Sequence, residues 1–159
     1  MSAKSVQSYI VSFDGHLLNR GFWLYVWHVR APKREVWYVG RTGDNPSANA
    51  GSPFGRLGQH LDLRPTASAN MLVRNLRKCG MDASKCTFRL LSIGPLFPEQ
   101  ATLKKHRPLR DKTALLEAEL AEFVRSTGRT VIGKHPRRGA FDKQLWAQAK
   151  RKVKRFFHP

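Results

Sequence analysis

The chain has 159 residues, and 41% of them are hydrophobic, which favours one domain with a buried core and excludes a disordered basic tail. Lys and Arg number 29 against 11 Asp and Glu, so the net charge is +18. Such a charge attracts polyanions, of which nucleic acid is the commonest, with an anionic membrane surface as the competing partner.

Signals for export, for disulfide bonding and for membrane insertion are missing from the sequence. Residues 1–12 lack the basic stretch and the apolar segment of a secretory signal. The two cysteines, Cys79 and Cys86, form neither a disulfide framework nor a zinc motif. No run of 18 apolar residues occurs, so we expect a reduced, cytoplasmic protein without a membrane span.

Aromatic and β-branched residues mark the strands of the predicted fold. Strands are expected at residues 9–13, 22–29, 36–41 and 87–93. The second and third of these form a hairpin around a turn at residues 31–34, where proline and charged residues interrupt the apolar pattern. The segment over residues 44–52 is polar and is expected to form a loop.

Capping residues and apolar periodicity mark the helices. Helices are expected over residues 54–61, 68–80, 113–126 and 141–157. Ser52 and Pro53 are the expected N-cap and first residue of the first helix, and Gly80 and Gly128 end the second and third. Residues 95–110 contain several prolines and are expected to form a basic loop. These elements predict an α+β fold, with a small, mainly antiparallel central sheet flanked by helices in an α/β/α sandwich.

Five side chains of these elements form an uneven but usable set of groups for acid-base and metal-assisted chemistry. Tyr25 and Tyr38 lie on the two hairpin strands. Arg56 and His60 are four residues apart, so they share one face of a helix, and Glu117 lies on a later helix. A carboxylate can bind a divalent cation, and an arginine can stabilise charge on a phosphate under attack. A phenol or an imidazole can accept a proton from water.

The segments "WLY", "WYVGRTG" and "FGRLGQHL", followed by "ALLEAELAEF", resemble the GIY-YIG nuclease superfamily in this order, over residues 21–136. The resemblance implies a metal-dependent endonuclease that cleaves DNA by one-metal, in-line attack of water, with Mg²⁺ or Mn²⁺ as cofactor. It implies that Tyr25, Tyr38, Arg56 and His60 are catalytic, and that Glu117 is catalytic as the metal ligand. Tyr25 would help to deprotonate the attacking water, with His60 as a relay.

The resemblance also divides the chain and assigns roles near the end of the second hairpin strand. Residues 1–136 would form the nuclease domain with an N-terminal strand extension, and residues 137–159 a basic helix packed on it or appended to it. Arg41 follows "YVG", where the family often carries a cation near the phosphate; a solvated strand end is the equal alternative. Gly40 would end the strand so that a phosphate can approach the backbone.

The sequence departs from the family pattern at two places. Trp23 stands where the family usually has glycine. Near Gly133 and Lys134 the family often has an asparagine, and this sequence has none there. The second departure concerns a secondary polar contact near the site, and neither departure removes a residue with a required charge.

Helical geometry alone leaves the metal ligand open between two carboxylates. Leu116, Leu120 and Val124 belong to the apolar stripe of the helix. With about 100° of rotation per residue, Glu117 and Glu119 lie on opposite borders of this stripe. The family context "L-L-E-x-x-L" favours Glu117.

Two basic helix faces are candidate contacts for a nucleic-acid backbone, most of all that of DNA, with a solvated face as the alternative. The first lies on the second predicted helix and the other on the last. Their residues are Arg74, Arg77 and Lys78, and Lys150, Arg151, Lys152, Lys154 and Arg155. Three other functions compete with a nuclease: a non-catalytic nucleic-acid-binding protein that retains the fold, a structural RNA-associated protein, and a basic membrane-surface protein.

Overall fold

The computed structural model describes residues 5–45 and 47–158. Within them a four-stranded mixed sheet is flanked by four α-helices, which confirms the predicted α+β fold. The elements in chain order are β1 (Gly21–Ala31), β2 (Arg34–Arg41), α1 (Pro53–His60), α2 (Met71–Lys78), β3 (Thr87–Pro98), α3 (Leu103–Ser126), β4 (Val131–Ile132) and α4 (Lys143–Phe157). Two short 3-10 helices lie at Gly15–Leu18 and Ala83–Lys85.

The sheet has the strand order β3-β1-β2-β4. β1 is antiparallel to both β2 and β3, whereas β4 pairs in parallel with β2. In the predicted hairpin, Trp27 lies opposite Tyr38, and Tyr25 lies opposite Gly40. Because helices cover both faces, nine successive residues of β1 are buried, as a strand in the centre of a covered sheet requires.

Each face of the sheet carries its own hydrophobic core, because alternate residues of a strand point to opposite sides. On one face, α3 and α4 cover Leu24, Val26 and Val39, and α4 contributes Ala149 and Val153 to this core. On the other face, α2 packs against β1 and β2, and both tyrosines of the hairpin belong to that second core. The C-terminal helix therefore packs on the sheet rather than extending away from it.

Local sequence signals predicted α1 correctly. The Ser52 side chain accepts a hydrogen bond of 3.2 Å from the Gly55 backbone N–H, and Pro53 is the first residue of the helix. The predicted starts of two other helices are early by two or three residues, since α2 begins at Met71 and α4 at Lys143.

The strand predicted at residues 9–13, and with it the N-terminal strand extension, is wrong. Residues 5–13 have no regular structure, and Tyr9, Ile10 and Val11 are exposed. A strand exists only where neighbouring backbone groups pair with it, and this segment has no such neighbour within the described residues. Residues 1–4 of the segment examined for a secretory signal lie outside the described residues.

The basic loop predicted over residues 95–110 is also wrong, because two elements share this segment. β3 continues to Pro98, and α3 begins at Leu103, with the Thr102 side chain as its N-cap. Pro108 lies inside α3, although proline cannot donate the helical hydrogen bond. Tertiary packing holds this turn: His106 is fully buried, and its Nε2 donates to the Gly43 carbonyl at 2.9 Å.

Candidate active site

Three of the predicted site residues form one cluster on the sheet face that α1 covers. The Tyr25 hydroxyl lies 2.6 Å from Nε2 of His60. The His60 ring stands edge-on to both tyrosine rings, with centroid distances of 5.5 Å to Tyr25 and 5.4 Å to Tyr38. The hairpin register places the tyrosines on the same face, and the last turn of α1 brings the histidine onto them.

Burial sets the protonation states of this cluster. Burial, with the positive charge of Arg56 adding to its effect, lowers the pKa of His60 to about 4, so the imidazole is neutral at pH 7. Burial raises the pKa of Tyr25, with Tyr38 adding to the rise, while Arg56 and Arg41 favour the phenolate. In the tautomer that carries its proton on Nδ1, the neutral imidazole can accept the hydrogen bond of the Tyr25 hydroxyl at Nε2, and Nδ1 is then buried without a partner.

Arg56 lies beside this cluster but is engaged by a carboxylate. Its guanidinium forms an ion pair with Asp44, and its Nη1 donates to Oε1 of Gln59 at 3.1 Å. The Arg56 side chain is only 14% exposed. Burial raises the pKa of Tyr38, and the nearby charge of Arg56 opposes this rise. The structure therefore brings Arg56 to the tyrosines and adds Asp44, which no sequence pattern had indicated.

Glu117 lies on α3, which covers the face of the sheet opposite to Tyr25 and Tyr38. Its carboxylate is 8% exposed and forms an ion pair with Arg41, whose side chain is 16% exposed. The alternative carboxylate, Glu119, instead accepts from Nη2 of Arg138 at 2.8 Å. The structure thus places Glu117, and not Glu119, beside Arg41. The solvated strand end considered for Arg41 is wrong, because this side chain is largely buried and paired.

Neighbouring arginines contribute to a lowered pKa of Arg41. Burial lowers the pKa of Arg41; Tyr25 opposes this, and the charges of Arg110 and Arg56 add to it. Arg110 lies seven residues before Glu117 on α3, and this spacing places both on the same helical face. Sequence reasoning missed Arg110 because it fell in the segment predicted as a loop.

The role expected for Gly40 is wrong. β2 does not end there but continues through Arg41. A Cβ at position 40 would collide with the Tyr25 ring, and it would lie 2.6 Å from the Tyr25 hydroxyl oxygen. The space where a side chain at position 40 would lie is therefore filled by the Tyr25 ring and is closed to a phosphate.

The position where the family often has an asparagine is also closed by an aromatic ring. Gly133 has a φ of +92°, and a Cβ there would lie 2.9 Å from Cε2 of Tyr38. The same Cβ would be 3.4 Å from Nδ2 of Asn75, a buried residue of α2. The structure thus brings a carboxamide to this place from another element, although its Nδ2 already donates to the Met71 carbonyl at 2.8 Å.

The two basic faces lie on opposite sides of the sheet. Arg74, Arg77 and Lys78 are exposed on α2, which belongs to the core on the tyrosine side. The other face lies on α4, in the core that contains Leu116 and Leu120, and its members are Lys150, Arg151, Lys152, Lys154 and Arg155. Of these five, Lys150 is half-buried, with its Nζ 5.0 Å from the centre of the Phe123 ring, and the rest are exposed.

Glu117 is the side chain that would hold the metal ion implied by the resemblance. Mg²⁺ is commonly held by one or two carboxylates together with water and phosphate oxygens, so this single carboxylate fits such an ion when Arg41 turns to another partner. Residues 5–45 and 47–158 contain no group of three or more His, Cys, Asp or Glu side chains that could hold a metal.

In the same part of the chain, every helix is too short or too polar to cross a bilayer.

The five predicted site residues thus lie on two faces of the sheet, four beside α1 and one on α3 beside Arg41. They are Tyr25, Tyr38, Arg56, His60 and Glu117. Comparison of this chain with protein-family models, with curated proteins and with solved structures found no match.

Proposed function

We propose that this protein is a metal-dependent endonuclease that hydrolyses phosphodiester bonds in DNA. The observation that carries the proposal is the 2.6 Å hydrogen bond between the Tyr25 hydroxyl and His60, in a cluster flanked by Arg41 and Arg56. A buried phenol joined to a neutral imidazole is a proton relay, and two arginines beside it suit a phosphate under attack.

In the proposed relay, Tyr25 accepts one proton from water and gives one proton to His60. As water attacks the phosphorus, its proton passes to the Tyr25 oxygen, and the Tyr25 proton passes to Nε2 of His60. Burial lowers the pKa of His60 and disfavours the resulting imidazolium, and the charge of Arg56 adds to this effect. A phosphate bound between Arg41 and Arg56 brings negative charge that offsets this effect, so substrate binding makes His60 a stronger base.

The two ion pairs at the site must open when substrate binds. Arg56 leaves Asp44, and Arg41 leaves Glu117, so that both guanidinium groups turn to the phosphate oxygens. The freed Glu117 carboxylate is the group that would hold the divalent ion. When bound, that ion supplies Lewis-acid stabilisation of the charge on the phosphate oxygens.

The charge and its placement support a nucleic-acid backbone as the substrate, and DNA is the nucleic acid that the resemblance implies. A net charge of +18 attracts the backbone of a polyanion, and the basic residues on α2 and α4 offer contacts on both faces of the sheet.

The second candidate function is a non-catalytic nucleic-acid-binding protein. The ion pairs Arg41–Glu117 and Arg56–Asp44 favour it, since they also serve as fixed structural contacts.

The test is a cleavage assay with a matched carboxylate control. Plasmid, duplex DNA, single-stranded DNA and RNA are incubated with Mg²⁺, Mn²⁺ or EDTA. We expect cutting of DNA that requires metal, falls on the order of 100-fold or more in Glu117→Gln, and is unchanged in Glu119→Gln. Thermal unfolding checks that Glu117→Gln still folds, because the change leaves Arg41 without its ion pair.

Binding measured in EDTA separates the two functions. Fluorescence anisotropy with a labelled duplex should show that Glu117→Gln binds DNA as the wild-type protein does. Tight binding without cutting in either metal assigns the non-catalytic function, and failure to bind or cut any nucleic acid overturns both.

A further inference from the structure

A second, polar cavity of about 150 Å³ adjoins the candidate active site. It lies between the described residues 45 and 49–52 and the first turns of α1, and it shares Arg56 with the site. Three carboxamide side chains line it: Asn45, Asn49 and Gln59. Its volume equals that of about five water molecules, which is the scale of one ring system rather than of a peptide or an oligosaccharide.

The walls of this cavity are held by backbone hydrogen bonds. The Gly43 N–H donates to the Ala50 carbonyl at 2.9 Å and closes the loop on itself. The Gly21 N–H donates to the Gly51 carbonyl at 2.9 Å and ties the same loop to β1. The Ala50 N–H donates to Oε1 of Glu99 at 2.8 Å. The two ends of the loop are therefore fixed before a ligand arrives, which lowers the entropic cost of binding.

The cations that line the cavity are already neutralised. Arg20 forms two hydrogen bonds with the Glu99 carboxylate, at 2.7 and 2.8 Å. Arg56 is paired with Asp44. In the free protein each guanidinium is matched by a carboxylate, and when Arg56 turns to the phosphate its charge is matched by that phosphate instead, so the cavity suits a neutral polar ligand better than a second anion. The exposed side chains of Asn45 and Asn49 are accessible to such a ligand.

We propose that this cavity binds one nucleobase of the DNA next to the cleaved phosphate, and that it favours adenine. A carboxamide presents a donor and an acceptor side by side, and this pair matches N6 and N7 of adenine. A base stacked within a duplex cannot enter a concave cavity, so the substrate has an unpaired or flipped base at this position. The inference rests on the proposed function, because Arg56 links the base to the phosphate.

The experiment measures binding in EDTA, so it does not depend on catalysis. Labelled duplexes carry a single bulged A, G, C or T, or no bulge, and fluorescence anisotropy gives their dissociation constants. The wild-type protein should bind the bulged adenine about tenfold more tightly than a bulged pyrimidine or the paired duplex. The double variant Asn45→Ala/Asn49→Ala should lose this preference, while Asn19→Ala, an exposed asparagine outside the cavity, keeps it.

Parallel reactions with Mg²⁺ separate the two proposals. Equal binding of all bulged duplexes by the wild-type protein, or an adenine preference that survives in the double variant, overturns the base-binding cavity. If metal-dependent cleavage persists in that case, the nuclease stands without the cavity. An adenine preference without cleavage supports the cavity and overturns the nuclease.

Discussion

The buried histidine of the candidate active site makes protein stability depend on pH. In the unfolded chain a histidine has a pKa of about 6.5, whereas burial lowers that of folded His60 to about 4. The unfolded state therefore binds a proton more readily between these values, so stability falls as the pH falls through this window. The shift predicts a loss of about 2 kcal/mol from pH 7 to pH 5, and about 3 kcal/mol once the pH is below 4.

Urea unfolding at pH 7, 6 and 5 measures this loss. His60→Gln removes the titrating group, so its stability should change about 2 kcal/mol less between pH 7 and pH 5 than that of the wild-type protein. His158→Gln is the control, because His158 is exposed at the end of α4. His135, whose pKa is also lowered to about 4, remains in all three proteins and cancels in the comparison. The same pH dependence in the wild-type protein and His60→Gln would refute the reasoning.

Two further predictions follow from packing and charge. Gly40→Ala should destabilise the protein by about 1–3 kcal/mol and abolish cleavage, because its Cβ collides with the Tyr25 ring. Gly58→Ala, in a helix and in open space, should instead be stabilising by up to about 1 kcal/mol; chemical denaturation compares the two, and equal effects would contradict the packing argument. Neutralising the five basic residues within 150–155 should weaken DNA binding and lower its salt-dependence slope by about 0.9 for each phosphate that the variant no longer neutralises. An unchanged slope in a salt titration would indicate that this helix face is solvated and does not contact DNA.

The local sequence carried enough information for the hairpin, for α1 and for the fold class. A run of aromatic and β-branched residues marks β1 and β2, and Ser52 with Pro53 marks the start of α1. These signals act between near neighbours in the chain, so they can be recognised without knowledge of the tertiary structure. They also placed Arg56 and His60 one helical turn apart, which the structure keeps.

Local sequence patterns could not predict contacts between residues that are far apart in the chain. α3 begins ten residues before its predicted start because packing of His106 overrides the signal of Pro108. β4 has only two residues, and it exists because β2 offers a strand edge for pairing. Residues 9–13 have the composition of a strand and, within the described part of the chain, no partner for one.

For the candidate site, the sequence by itself determined the residue types and their spacing along each element. Only the tertiary structure decided which charges meet: Arg41 with Glu117 across 76 positions, and Arg56 with Asp44. It separated Glu117 from Glu119, although both border the same apolar stripe. The physical reason is that a pattern along one helix specifies a face, whereas an ion pair depends on which other element packs against that face.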